Sequence, residues 1–152
     1  MLFCHPIVGN RVTMEFREQA LGKNVRFLLP SLKLKEPCPG GGTIEQSVHV
    51  YLVDHFGGYT AGSATVAGYW REEDGSQSYG EHREFTVALP NDCGLAELKR
   101  FLALTARRLC ESCLYVEVAG SAVLLYSAED EDLEVDPCLA GSSIDEEPSS
   151  TL

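Results

Sequence analysis

Cys110 and Cys113 are spaced as a redox dithiol or as half of a zinc site would be. A thioredoxin-type dithiol sits at a helix N-terminus, where the helix dipole lowers the thiol pKa. Cys110-Glu111-Ser112-Cys113 instead closes a helical pattern, so the dipole there has the wrong sign. A zinc site needs four ligands, and Cys4, Cys38, Cys93 and Cys138 supply no second pair with the same spacing. No metal site and no cofactor are expected. His5, His49, His55 and His82 are scattered, and there is no Gly-x-Ser-x-Gly elbow, phosphate loop or paired-histidine zinc motif. Gly40-Gly41-Gly42 precedes a helix start, a place that can bind anions, but it lacks the Lys-Ser/Thr of a P-loop and reads as a linker.

The best ligand candidate is the corner Gly57, Gly58, Tyr59 and Thr60 together with Tyr69, Trp70 and Arg71. Aromatic faces, a hydroxyl and a guanidinium could grip a small anionic or planar group. The plainer reading is a tight turn buttressed by aromatic packing.

The elements that would position these residues follow from periodicity. Val12, Met14 and Phe16 alternate with polar residues as a short edge strand would, and Met14 offers an alternative start that would leave residues 1–13 outside the protein. A first core strand is expected over Asn24–Lys35, interrupted near Pro30. Thr43-Ile44-Glu45-Gln46 fits a capping box. The helix should run from Ile44 to Phe56 and stop at Gly57-Gly58, although Val48, Val50 and Leu52 also alternate as a strand would. Strands are expected over Tyr59–Arg71, with Gly62 and Gly68 marking a bulge or close approach, and over Glu84–Leu89 with Phe85 facing inward. Asp74-Gly75 lies in the loop between them. Asp92 is the simplest N-cap for a second helix over Leu95–Cys110, whose apolar stripe is Leu95, Leu98, Leu102, Ala106 and Leu109. A last strand should cover Leu114–Tyr126, with a bend or bulge at Gly120.

Strand, helix, strand, strand, helix, strand predicts a ferredoxin-like βαββαβ α+β domain, an antiparallel sheet with two helices on one face. The expected layout is an N-terminal extension over residues 1–23, the domain over 24–126 and a disordered acidic tail over 127–152. This order, with Phe56-Gly57-Gly58-Tyr59-Thr60, Gly68-Tyr69-Trp70, the Asp-Gly hairpin, Glu84-Phe85-Thr86-Val87 and Val116-Glu117-Val118-Ala119-Gly120, resembles an uncharacterised family of small ferredoxin-like domains of bacteria and phages. The resemblance covers about two-thirds of the chain and implies a fold and no catalytic residue. The N-terminal segment and the tail depart from it.

The net charge of −11 belongs mainly to the tail. Nine of the 23 acidic residues lie from Ser127 onward, leaving fourteen against all twelve basic residues in the body. Such an acidic block cannot order itself by burial. Neither part has the basic excess of a nucleic-acid binder, and no apolar run is long enough for a membrane helix. Met1–Pro6 lacks the pattern of a secretory leader, so a cytoplasmic protein with reduced thiols is expected. The pattern points to a non-catalytic, homo-oligomeric binding protein, phage- or plasmid-associated, that sequesters a small molecule or modulates a host protein. The other reading is a small enzyme with an active site at a subunit interface near the Gly57-Gly58 corner.

Overall fold

Thr43 starts the first helix. Its hydroxyl accepts from the backbone N–H of Gln46 at 3.3 Å, and the Gln46 side chain accepts from the backbone N–H of Thr43 at 2.9 Å. Two orphan donors of the first turn are thereby satisfied reciprocally. At the other end Gly57 takes the left-handed conformation, φ 76°, and its N–H donates to the Val53 carbonyl. The strand-like alternation of Val48, Val50 and Leu52 is resolved by helical geometry: Val48 and Leu52, four apart, are buried while Val50 faces solvent.

The structure is a computed structural model that describes residues 16–129. Its elements are β1 (Lys23–Pro30), a 3₁₀ turn (Lys33–Lys35), α1 (Ile44–Phe56), β2 (Thr60–Arg71), β3 (Gln77–Leu89), α2 (Asp92–Arg108), β4 (Cys113–Val118) and β5 (Ser121–Tyr126). The strands form one antiparallel sheet in the order β2-β3-β1-β4-β5. This α+β arrangement of five strands and two helices is compatible with the ferredoxin-like expectation. Alternate residues of the inner strands, among them Val25, Phe27, Leu29, Phe85, Val87 and Val116, form one core with Val48 and Leu52 of α1 and Leu98 and Leu102 of α2. Both helices therefore cover the same face of the sheet. Phe85 lies inside, stacked on Phe27 with ring centroids 5.4 Å apart.

Several boundaries differ from expectation for physical reasons. β1 ends at Pro30, which has no N–H for a ladder, and Lys33–Lys35 turns as a 3₁₀ helix. β3 begins at Gln77, seven residues earlier than Glu84, because β2 pairs with it along the whole hairpin. The N-cap of α2 is Asn91, whose side-chain oxygen accepts from the Gly94 N–H at 2.9 Å; Asp92 is already helical. The α2 end is a Schellman arrangement with Cys110 in the left-handed region, φ 53°. The final strand is a hairpin: Val118 pairs with Ser121, and Ala119 and Gly120 both have positive φ, the type I′ turn that suits the twist of two short strands. Phe16 is exposed and lies in no strand; Val12 and Met14 of that expected strand, and the acidic tail from residue 130, lie outside the described residues. No helix among the described residues is long and apolar enough to cross a membrane.

Candidate functional site

Gly57 and Gly58 hand α1 to β2. A Cβ added to either would meet nothing within 4 Å, so the backbone of the corner is open to an approaching group. Only Gly57 needs glycine for its φ. Tyr59 leaves the corner toward the helix side: its hydroxyl lies 3.2 Å from His49 Nδ1 and its ring packs near Phe85. Thr60 is exposed and pairs with Thr86 of β3.

A cleft of about 360 Å³ opens beside this corner. Phe56, Gly57 and Gly58 form one wall, Ala88 and Pro90 another, and the segment Gln19–Leu21 a third. That segment is held where it is because Gly22, φ 98°, crosses Leu89 so closely that a Cβ would lie 2.0 Å from the Leu89 carbonyl oxygen. The lining is mainly apolar, and Gln19 brings its one side-chain amide.

Tyr69, Trp70 and Arg71 lie at the other end of β2, nine or more residues from Thr60. At ~3.3 Å per residue the strand separates the two groups by roughly 30 Å, so they do not form one site. The distal residues also diverge. Tyr69 pairs with Tyr79, ring centroids 5.1 Å apart, on the helix side of the sheet. Trp70 lies on the opposite side against His82, and its indole N–H donates to Glu72 at 2.8 Å. Gly80 leaves room for that pair, since a Cβ there would sit 2.8 Å from the Trp70 ring and 2.7 Å from His82.

What the cleft wall lacks in polar chemistry stands next to it. The face of the sheet away from the helices carries Arg26 on the central strand β1, directly opposite Glu117 of β4 and Thr86 of β3. The Arg26 guanidinium donates to Glu117 at 2.7 Å and to Glu84 at 2.9 Å, and it lies 5.7 Å from the centroid of the Tyr115 ring. The Tyr115 hydroxyl donates to Glu117 at 3.2 Å. These hydrogen bonds, led by that from Arg26, hold the Glu117 carboxyl below its ordinary pKa, and they hold the guanidinium more firmly charged than usual. Ala88 of the cleft is two residues from Thr86 on the same face, so the cluster begins about 7 Å from the cleft wall. The sequence reading missed this group because Arg26, Glu84, Tyr115 and Glu117 lie on three strands, and only their register assembles them. The alternation of Arg26 between the core residues Val25 and Phe27 was the available signal.

The remaining sequence candidates do not gather. Cys110 is exposed and Cys113 half-buried, both as free thiols. His55 stacks on Tyr51, which is itself sandwiched against Phe101 and pushed up to about 12 by burial. Cys4, His5 and Cys138 lie outside the described residues.

No family model matches the chain, and no curated protein matches it. Two solved structures do. Phage SAM lyase in complex with S-methyl-5'-thioadenosine is 13% identical with a TM-score of 0.49, over 76% of this chain and 97% of that one. Phage SAM lyase in the apo state is 9% identical with a TM-score of 0.48, over 76% and 98%. At these values no residue role passes across the likeness. Both neighbours are an enzyme, and the expectation of a non-catalytic sequestering or modulating protein is corrected accordingly. The enzymatic reading raised from the sequence is the one that goes forward.

Proposed function

We propose that this chain is a small enzyme acting as an oligomer, with its active site at a subunit interface beside the Gly57-Gly58 corner. The observation that carries the reading is the juxtaposition of an apolar cleft at the end of the sheet with the Arg26–Glu84–Glu117–Tyr115 cluster on its open face, the two adjoining through Ala88 of β3. The cleft volume falls at the lower end of the range for small-molecule pockets, about 300–1,000 Å³. Gly58 lets a ligand lie against the backbone. Glu117, held ionised by Arg26, is an acceptor for a proton or for a cationic group. The Tyr115 hydroxyl is a donor, and Arg26 can balance negative charge developing on a ligand. In a single chain these charges stand in contact with water, their side chains about a third exposed. A second copy over the open face would exclude that water and strengthen every charge interaction in the site.

The test uses the full chain with SAM as the first probe, the compound in the name of both structural neighbours, followed by a metabolite extract of the host. Native mass spectrometry reads the bound compound and chromatography reads its turnover. The expected result is an oligomer that binds and converts one compound. Glu117→Gln should lower turnover by a factor of about 100 or more, as removal of an acid–base group does. Gly58→Val should abolish binding with an unchanged melting temperature. No bound or converted compound across the extract, or full turnover in both variants, would overturn the reading.

A further inference from the structure

β2 is the outermost strand of the sheet. β1 ends at Pro30, opposite His82, so the distal part of the β2–β3 hairpin extends beyond it as a two-stranded ribbon. Natural edge strands are usually guarded by Lys, Pro, an inward charge or a bulge. β2 contains no Lys and no Pro, and its irregularity falls between Ala61 and Thr65, where the Arg83 side chain donates to the Gly62 carbonyl. The seven residues Thr65–Arg71 are left in unbroken register, and Arg71 is the only charge among them.

The direction of the free hydrogen-bonding groups follows from the ladder. Glu72 N–H donates to Ser76 O at the mouth of the loop. By alternation, Trp70, Gly68 and Val66 turn their N–H and C=O groups toward β3, and Thr65, Ala67, Tyr69 and Arg71 turn theirs outward. We propose that this edge is a homodimer contact, in which Thr65–Arg71 pairs antiparallel with the same segment of a second copy about a two-fold axis at Gly68. That centre alone uses all seven regular residues without entering the bulge or the loop. It satisfies the outward groups of both strands in about eight backbone hydrogen bonds. It also places Trp70 opposite Val66 of the second copy, Tyr69 opposite Ala67 and Arg71 opposite Thr65, so each large side chain meets a smaller one and no like charges face each other. Trp70, Tyr69 and Val66 are 43%, 75% and 39% exposed in the single chain. The contact is separate from the Gly57-Gly58 corner and from the interface proposed over the open face.

Native mass spectrometry of the full chain should show an assembly with an even number of copies at micromolar concentration. Ala67→Pro removes an outward N–H, which an edge strand tolerates, and should halve the mass of the assembly while circular dichroism shows the fold kept. A Gly68→Cys variant tests the register. Directly opposed, non-hydrogen-bonded residues have Cα atoms about 4.5 Å apart, within disulfide reach. Its two thiols should therefore join across the axis in the presence of oxidised glutathione, which takes up their electrons, and peptide mapping distinguishes this bond from any made by native cysteines. Thr65→Cys, opposite Arg71, should not cross-link to itself. A monomeric wild type would overturn the proposal. So would an assembly of unchanged mass in Ala67→Pro, or one in which Gly68→Cys stays reduced, since the edge of β2 would then not be a contact.

Discussion

The two faces of β1 divide the work of the molecule. On the helix side Val25, Phe27 and Leu29 are completely removed from water. On the other side Arg26 stands between two carboxylates with about a third of its side chain in solvent. A single step along the chain reverses the environment, because successive side chains of a strand point to opposite faces. The buried face has no polar requirement beyond its backbone and can be filled with hydrocarbon. The open face has no such packing to satisfy, so its residues are free to serve charge chemistry. Stability and the candidate site are thereby separable, and substitutions should respect that separation.

The largest expected effect lies on the buried face. Phe27→Ala removes a ring stacked on Phe85 at the centre of the core. It should cost about 3–5 kcal/mol in a urea melt. Arg26→Met breaks two partly exposed ion pairs and should cost no more than ~1 kcal/mol, while lowering the turnover of any compound converted at the cluster. Losses of similar size for the two variants would mean that the faces are not separable.

Gly57 and Gly58 repeat the contrast within two residues. Gly57 holds φ 76°, so Gly57→Ala should cost about 1–2 kcal/mol. Gly58 has open space and no such φ, and Gly58→Ala should be neutral or stabilise by up to about 1 kcal/mol through the unfolded chain. Thermal melts of the pair decide whether the second glycine is there for the fold.

Where signals were local, the sequence was readable. Thr43 with Gln46 and Gly57 bound α1 at both ends, because a cap and a left-handed stop are chemistry within four residues. The stripe Leu98, Leu102, Ala106 and Leu109 of α2 is buried as its spacing implies. The β4–β5 turn was not readable, since Ala119 occupies a position that Asn or Gly usually marks. The joining of Tyr59 with Trp70 into one candidate site failed for a related reason: an extended strand holds its two ends apart, whatever the residue types. The Arg26 cluster depends on two strand pairings at once, and nothing short-range in the sequence encodes register.

Ala119 is therefore a place where the chain can be improved. Ala119→Asn keeps the left-handed φ of 48° with a residue that tolerates it. It should raise stability by about 0.5–1 kcal/mol, read as a higher urea midpoint with an unchanged slope. A lower midpoint would mean that the hairpin is held by something other than its turn.

The smallest expected effect tests the open face by pH. Glu117 has a folded pKa below its ordinary 4.5, chiefly through its hydrogen bond from Arg26. A depressed folded pKa means that the unfolded chain binds the proton more readily. Its contribution is therefore fully present above about pH 4.5 and is lost as pH falls through the folded value. Arg26→Met removes the cause, so the wild type should lose its advantage over the variant on acidification below that point, and NMR titration should show the Glu117 carboxyl moving up in the variant. Phe27 carries no charge, and a Phe27→Leu variant should keep the wild-type pH profile at a lower overall stability. If Arg26→Met and Phe27→Leu give pH profiles of the same shape, the carboxylates of the open face are not coupled to the guanidinium, and the cluster loses its claim as the charged half of the site.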